Sequence, residues 1–434
     1  MSFSHLTRNH EQPVFMSIHS FSFFLALLLF KASLDAAYYL VLAPHFSAFG
    51  YTLSLDPIRY SLSWVLYIPS FLVLNSRFKL VRDYVFVTII LGLWAPLMTV
   101  WGMDEARPLF PILVSGIAYL VVYLSMIFFD KALPLKIPIL KGGRRIAFLL
   151  SVMLTIFLVF WYLYRGVGLN LDLSKVYEFR RVNEELAAFG FFAYLNNWIY
   201  KVFAVYALSY LLLKRNVLAA GVVVLVFVFY FAANAHKSVL FSPVLVVLIW
   251  LYFRRYSSML FIPLGFSTIV LFSIATFFIL GDVWVSALFP SRVFILPAHL
   301  TFLYFDFFEN NEFIFYSNSF LSYFVDYPYN VGLASLMGEH WGRPDSAANN
   351  GYVSSAYAQA GVSAVVIYSV FIGAFISLLD RLVKKGEIMP WFALAIMIIP
   401  IRDFLISMDL LTAFLTGGML WATVLLVMAR RKAV

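Results

Sequence analysis

Long apolar runs recur from one end of this sequence to the other, and they constrain its fold more than any other feature. Each run has about 17 to 25 residues, the length of a helix that crosses a bilayer. Lipid offers the backbone no hydrogen-bonding partner, so these spans should be helical. Hydrophobic residues make up 63% of the chain, and only 12% of its residues are charged. The sequence therefore predicts a single integral membrane domain over residues 1–434, all-α and polytopic.

We predict about twelve transmembrane helices with short loops between most of them. Their approximate centres are residues 25, 68, 92, 119, 155, 203, 226, 246, 270, 366, 395 and 418. Alternate loops and tails hold 19 of the 31 Lys and Arg residues. The positive-inside rule assigns that face to the cytoplasm and places both termini there. The net charge of +9 is thus explained by basic loops on the cytoplasmic face. Because these residues do not form one basic patch, no nucleic acid is predicted as a partner.

Two long loops are predicted on the opposite face, over residues 165–192 and 281–351. Long loops in a compact protein are usually functional, so we expect the functional residues in these two ranges. The second loop is acidic, with two arginines against seven Asp and Glu residues. The chain has no cysteine, no metal-ligand spacing and no nucleotide-binding glycine motif, so neither a metal nor a cofactor is predicted.

Two adjacent arginines stand in the first loop, in the stretch EFRRVNEELAAFG. Arg180 and Arg181 are candidates for binding a pyrophosphate, because the arginine fork matches phosphate oxygens. The alternative is an amphipathic interfacial helix, in which these arginines pair with Glu184 and Glu185.

Two further cations are predicted on the same face. Lys237 follows His236 in the turn AANAHKSVLF, between the seventh and eighth spans. A cation at this depth needs an anionic partner, although snorkelling to lipid headgroups is the alternative. Arg292 is the only Lys or Arg between 256 and 342. We assign both to pyrophosphate binding, while a salt bridge to Asp282 or a lipid phosphate remains the alternative for Arg292.

A polar island, GEHWGRPDSAANNG, closes the second loop at residues 338–351. It supplies three candidate general bases, Glu339, His340 and Asp345. The amides of Asn349 and Asn350 can donate to and accept from sugar hydroxyls, and we group Tyr352 with them as glycan-binding. Arg343 joins the candidate pyrophosphate ligands. The alternative is a solvated loop in which an Asn caps the next helix.

Aromatic residues crowd the middle of the second loop. Residues 302–329 hold 13 aromatics in 28 positions, interrupted by acids and amides. An in-plane interfacial helix is the default interpretation, because Trp and Tyr favour the membrane interface. A sugar-stacking platform is the functional alternative.

The arrangement resembles the Wzy-type O-antigen polymerases of bacterial inner membranes, which are related in architecture to O-antigen ligases. The resemblance covers nearly the whole chain, with large loops after the fifth and ninth of twelve spans and a glycosyltransferase-C-like fold. Locally it rests on EFRRVNEELAAFG, AHKSVLF, SRVFILP and LMGEHWGRPDSAANNGYVSSAYAQAG. The family's arginines precede a glycine at a fixed spacing that Arg180, Arg181 and Arg292 do not reproduce.

The resemblance implies an enzyme of the periplasmic face that joins two glycans, each linked to undecaprenyl pyrophosphate. The growing chain is the donor and a new repeat unit is the acceptor. The partners are therefore these two lipid-linked oligosaccharides and membrane lipid, and a chain-length regulator protein is a further partner left open.

Two other functions stay open. An O-antigen ligase, which transfers glycan to lipid A core, relies on a histidine in the large loop, and His340 meets that requirement. A transporter of lipid-linked oligosaccharides would need polar residues or broken helices in the middle of the membrane.

Overall fold

The structure is a computed structural model that describes residues 18–132, 138–172, 183, 186, 189–319 and 321–431. About three quarters of the chain is helical, and the described residues contain no strand. Their helices are α1 (18–45), α2 (57–73), α3 (Val81–Met103), α4 (Phe110–Ala132), α5 (Gly143–Tyr164), α6 (191–213), α7 (Val217–Asn234), α8 (Lys237–Phe253), α9 (Phe261–Leu280), α10 (Trp284–Asn310), α11 (Leu333–His340), α12 (Tyr352–Lys384), α13 (Pro390–Ile406), α14 (Leu410–Leu415) and α15 (Met419–Met428).

Eight helices within the described residues are long and apolar enough to cross a membrane: α1, α3, α4, α5, α7, α9, α10 and α12. This confirms an all-helical polytopic membrane protein. Every predicted span centre lies within a helix except residue 418, which falls at the break between α14 and α15. The count of twelve crossings and the glycosyltransferase-C-like fold remain predictions.

Basic loops that are distant in sequence meet at one end of the helix bundle. Arg82, at the start of α3, pairs with Asp130 at the end of α4 and with Asp380 near the end of α12. The backbone N–H of Phe78 donates to the carbonyl of Ser257, just before α9, at 2.6 Å. We call this end of the bundle the basic end, and the opposite end, where α4 begins and α9 finishes, the far end.

The range 281–351, predicted as one loop, contains a long helix, and irregular chain begins only after it. α10 starts beside the far end of α9, and the ring of Phe305 lies 5.9 Å from that of Phe110 at the start of α4. Between these points Phe294 packs 5.2 Å from Phe30 and 5.5 Å from Phe266, inside the bundle. Both ends of α10 therefore lie at the far end, while its middle packs against α1 and α9 inside the bundle. A π-helical stretch over Ala287–Ile295 accommodates this path.

α12 consists of two helical segments joined at a sharp turn. Ala360 and Gly361 have non-helical backbone angles, with φ of +63° at Gly361. The ring of Tyr352 lies 6.4 Å from that of Tyr119, partway along α4, whereas Tyr357 is 6.3 Å from Phe110 at its start. The first segment thus climbs to the far end, and the second descends to the basic end. It follows that the chain just before Tyr352 reaches deep into the bundle.

The turn at Gly361 predicts a specific sensitivity to substitution. Gly361→Ala should lower the free energy of unfolding by roughly 1–3 kcal/mol, because only glycine adopts this backbone conformation without strain. Thermal unfolding of the purified protein in detergent measures the change. Gly221→Ala is the matched control, since a Cβ there meets nothing within 4 Å and the position is helical. Equal stabilities of the two variants would contradict the two-segment description of α12.

The sidedness predicted from charge can be tested directly, because the chain has no cysteine of its own. Lys79→Cys lies at the basic end and Asp345→Cys in the polar island, and both positions are exposed. We expect an impermeant maleimide to label Asp345→Cys from the periplasm and Lys79→Cys only after the membrane is opened. The reverse pattern would invert the topology.

Candidate functional site

The predicted cations do not form one cluster. Arg180 and Arg181 lie outside the described residues. Lys237 is the exposed first residue of α8. Arg292 is exposed on α10, on the same helical face as the exposed Trp284 and Leu288. An apolar face carrying one cation is typical of contact with lipid, so the geometry favours a lipid phosphate as the partner of Arg292.

Arg343 attaches the polar island to the end of α1. Its guanidinium carbon lies 3.6 Å from the ring centroid of Phe49 and 4.9 Å from that of Trp341. The indole N–H of Trp341 donates to the carbonyl of Phe49 at 3.0 Å. These cation–π and hydrogen-bond contacts hold the island in place, so Arg343 has a structural role in this arrangement.

The three candidate bases lie on the surface of the far end. Glu339 and Asp345 are exposed, and no side-chain partner contacts them among the described residues. His340 lies 2.9 Å from a carboxylate oxygen of Asp306, and its ring packs against Phe307. The carboxylate orients the imidazole, so His340 already has the partner that a histidine base requires.

Two of the three predicted glycan ligands are buried, which corrects that prediction. Asn350 is 5% exposed, and its Nδ2 donates to the carbonyl of Pro297 at 3.0 Å and to the hydroxyls of Thr301 and Ser354. Tyr352 is fully buried and stacks on Phe404. Both side chains fix the chain inside the bundle and cannot touch a glycan in this conformation. Asn349 is exposed.

The structure brings together inside the bundle a charged cluster that is not among the site residues predicted from sequence. Asp403, on α13, accepts hydrogen bonds from Lys201 Nζ at 2.9 Å and from the guanidinium of Arg402 at 2.7 Å. Lys201 lies in a π-helical turn of α6 over Ile199–Phe203. Such turns are frequent at functional sites, because they present a side chain that a regular helix would not. Two cations against one carboxylate leave this triad with a net positive charge.

The triad lies well below the far end. Phe404, next to Asp403, stacks on Tyr352, which is level with Tyr119 partway along α4. α13 ends two residues later, at Ile406, and the short helices α14 and α15 follow. Discontinuous helices in the middle of a membrane protein commonly surround a polar ligand or ion. Ionisable residues in such a position are functional candidates by default.

The turn between α7 and α8, which carries Lys237, lies beside the π-helical turn that carries Lys201. The ring of His236 lies 6.4 Å from that of Tyr200, the neighbour of Lys201. Lys237 is exposed, and the side chain of Arg402 is 38% exposed, so a ligand can reach both cations. We call Lys201, Lys237, Arg402 and Asp403 the cationic cluster.

An apolar cavity and a carboxylate flank the cluster. The cavity has an empty volume of about 310 Å³ and is lined by residues on both sides of Arg402 and by one face of α12, among them Ile401, Phe404 and Phe371. Beyond the end of α13, Asp409 accepts hydrogen bonds from the Tyr368 hydroxyl at 2.8 Å and from the N–H of Leu411 at 2.9 Å. Charged residues within the apolar runs, such as Lys201 and Asp409, are the sequence signal that could have identified this site.

Most of the aromatic segment packs on itself. Phe305 stacks on Tyr357 at 3.9 Å, and Phe308 stacks on Phe313 at 6.2 Å. Tyr323 and Phe324, in contrast, are 93% and 84% exposed. The described part of the segment therefore combines a packed wall with an exposed aromatic pair.

Comparison of the chain with protein-family models, with curated proteins and with solved structures finds no match. A function has to be argued from the residues themselves. The cationic cluster carries the most information, because charge inside an apolar bundle is costly unless it is used or neutralised.

The triad predicts a large effect from removal of its carboxylate. Asp403→Ala should lower the free energy of unfolding by about 3–5 kcal/mol, because it leaves the largely buried Lys201 without an anion and removes the partner of Arg402. The double variant Lys201→Ala/Asp403→Ala should be more stable than Asp403→Ala alone. Unfolding in detergent measures both, with the exposed Asp345→Ala as the control. A single variant as stable as the double would show that the pair is not coupled.

Proposed function

We propose that this protein polymerises lipid-linked glycans at the far end of the bundle. The growing chain on undecaprenyl pyrophosphate is transferred to the terminal sugar hydroxyl of a new lipid-linked repeat unit. The observation that carries the proposal is the cationic cluster, in which Lys201 and Arg402 share the single carboxylate of Asp403 and Lys237 stands exposed at the start of α8.

The charge of a pyrophosphate suits the cationic cluster. Its anionic oxygens supply the counter-charge that Asp403, a single carboxylate, does not provide for Lys201, Lys237 and Arg402 together. Cations placed at the leaving group also stabilise the charge that develops there as the glycosidic bond breaks. The arginine fork adds bidentate contact with phosphate oxygens.

The apolar surroundings suit the lipid part of such a substrate. The cavity beside Arg402 is lined by Ile401, Phe404 and Leu405, and α12 closes its other side. Its lining is apolar, which matches the chemistry of a polyprenyl chain, and the side chains would have to move apart to admit one. The exposed pair of Tyr323 and Phe324 offers aromatic faces to a glycan or to the membrane interface.

The reaction needs a group that takes one proton. The acceptor hydroxyl forms a bond to the anomeric carbon of the donor, the bond from that carbon to pyrophosphate breaks, and pyrophosphate keeps the electron pair. Glu339 is our first choice for the base, with Asp345 and His340 as the other surface candidates. Asp409 is a fourth candidate, since it lies beyond the end of α13, closer in the chain to the cationic cluster.

Transport of lipid-linked oligosaccharide is the second candidate function. The breaks between α13, α14 and α15, together with charges inside the bundle, are features that transporters share. A ligase is distinguished genetically from a polymerase. Loss of a polymerase leaves single repeat units on the lipid A core, whereas loss of a ligase leaves the core bare.

Reconstitution of the purified protein with a defined lipid-linked repeat unit tests the proposal. We expect a ladder of glycan products from the wild type. Arg402→Gln and Lys237→Gln should each reduce the polymerisation rate by roughly 100-fold or more, the typical effect of losing a group that stabilises a developing charge. Arg255→Gln, an exposed cation before α9, is the matched control and should leave the ladder unchanged. Translocation of the substrate without a ladder would favour transport, and full activity of Arg402→Gln would overturn the proposed site.

The same assay identifies the base. We expect Glu339→Gln to reduce the rate by about 10² to 10⁴, the usual contribution of a general base, and Asp345→Asn to have a smaller effect. Asp409→Asn is measured alongside them. A normal ladder from Glu339→Gln together with loss of activity in Asp409→Asn would transfer the role to Asp409.

A further inference from the structure

Two pockets at the basic end are lined by cations, and they differ in how those cations are neutralised. The first has an empty volume of about 770 Å³. Of its cations, Arg82 and Lys384 both pair with Asp130, and Arg82 also pairs with Asp380. Carboxylates of the protein itself thus neutralise the cations in the inner part of this pocket. We call it the neutralised pocket.

The second pocket has an empty volume of about 710 Å³ and lies where α5 begins, α6 ends and α15 has ended. It is lined by five cations, Arg144, Arg145, Lys214, Arg430 and Arg431. Glu387 pairs with Arg430, and no other ion pair of the five is present among the described residues. We call it the open basic pocket.

The buried part of the open basic pocket is held by its own contacts. Arg144 Nε donates to the carbonyl of Ala429 at 2.7 Å, and the N–H of Arg431 donates to the carbonyl of Glu387. These bonds join the start of α5 to the chain after α15. They use carbonyl oxygens, which leave the positive charge of Arg144 without a neutralising anion.

The remaining cations are available to a ligand. Arg145, Lys214 and Arg431 are exposed and line the same pocket. Gly142 and Gly143 line it as well, so the N-terminus of the 22-residue helix α5 faces the pocket. The helix dipole adds a partial positive charge at this end, which favours an anion further.

We propose that the open basic pocket binds a ligand with two phosphate groups, such as the headgroup of an anionic diphosphate lipid. Four cations in excess of the one carboxylate exceed what a single phosphate monoanion neutralises, and the pocket is roomy enough for two phosphates. Basic pockets between membrane helices on the cytoplasmic side bind such headgroups in other proteins. A free diphosphate shares this chemistry, so the experiment separates the two sources. The site lies at the opposite end from the cationic cluster, and its test does not depend on the proposed function.

The probes are cardiolipin, inorganic pyrophosphate and zwitterionic phosphatidylethanolamine, each added to the full-length protein after delipidation in detergent. Binding is measured by native mass spectrometry and by the rise in Tm that any ligand of the native state produces. We expect cardiolipin to bind and phosphatidylethanolamine not to bind at the same concentration. Binding of pyrophosphate as well would show that the diphosphate alone suffices, and its failure would show that the acyl chains are required.

The variant Arg145→Gln/Arg431→Gln removes two exposed cations from the open basic pocket. Cardiolipin should then bind roughly tenfold more weakly or worse, since each lost bond to a charged group costs this much or more. Arg77→Gln/Lys79→Gln removes two exposed cations from the neutralised pocket and is the matched control, expected to bind as the wild type does. Lys214→Gln provides an independent single variant if the double variant is unstable without ligand. Equal losses in the two double variants, or unchanged binding in the first and in Lys214→Gln, would overturn the proposal.

Discussion

Irregular backbone inside an apolar bundle has to find hydrogen-bond partners within the protein, because lipid supplies none. The structure meets this constraint with a few polar side chains. Asn350 donates from its amide to α10 where the chain turns inside the bundle, and Gln359 Oε1 accepts from the N–H of Tyr316 just before the turn at Gly361. Asp409 accepts from the N–H of Leu411 where α14 begins. Without these partners the backbone inside the bundle could not depart from regular helical geometry.

The departures from regular helix are also what creates room for function. α10 has a π-helical stretch over Ala287–Ile295, α12 turns sharply at Ala360 and Gly361, and α13 ends at Ile406. The cationic cluster lies where α13 meets α6 and α8. An uninterrupted bundle of the same composition would pack apolar side chains there and leave no place for a charged ligand.

Charge is treated differently at the two ends and in the middle. At the basic end, Asp130 and Asp380 neutralise Arg82 and Lys384. In the interior, the pair of Lys31 and Asp35 is fully satisfied, with Thr99 and Tyr60 donating to the carboxylate. The cationic cluster and the open basic pocket differ from both, because cations outnumber the carboxylates beside them. That imbalance is the common reason for proposing an anionic ligand at each.

The sequence by itself determined the class of the protein and the approximate location of most of its helices. Apolar runs of bilayer length can only be helices, so the helical polytopic architecture followed from composition and periodicity. The sequence also distinguished the basic loops from the other loops. The structure brings these basic loops together at one end through contacts such as that of Arg82 with Asp130.

Only the tertiary structure decided which polar residues face a ligand and which hold the chain. Asn350 and Tyr352 looked like surface residues because they follow a polar, glycine-containing stretch, but that stretch dips into the bundle and buries both side chains. Lys201 stands about 200 residues before the adjacent pair Arg402 and Asp403, and the three became a site only when α6 packed against α13. Local sequence reports the polarity of each residue, whereas burial and partnership depend on contacts between distant segments, which no local pattern encodes.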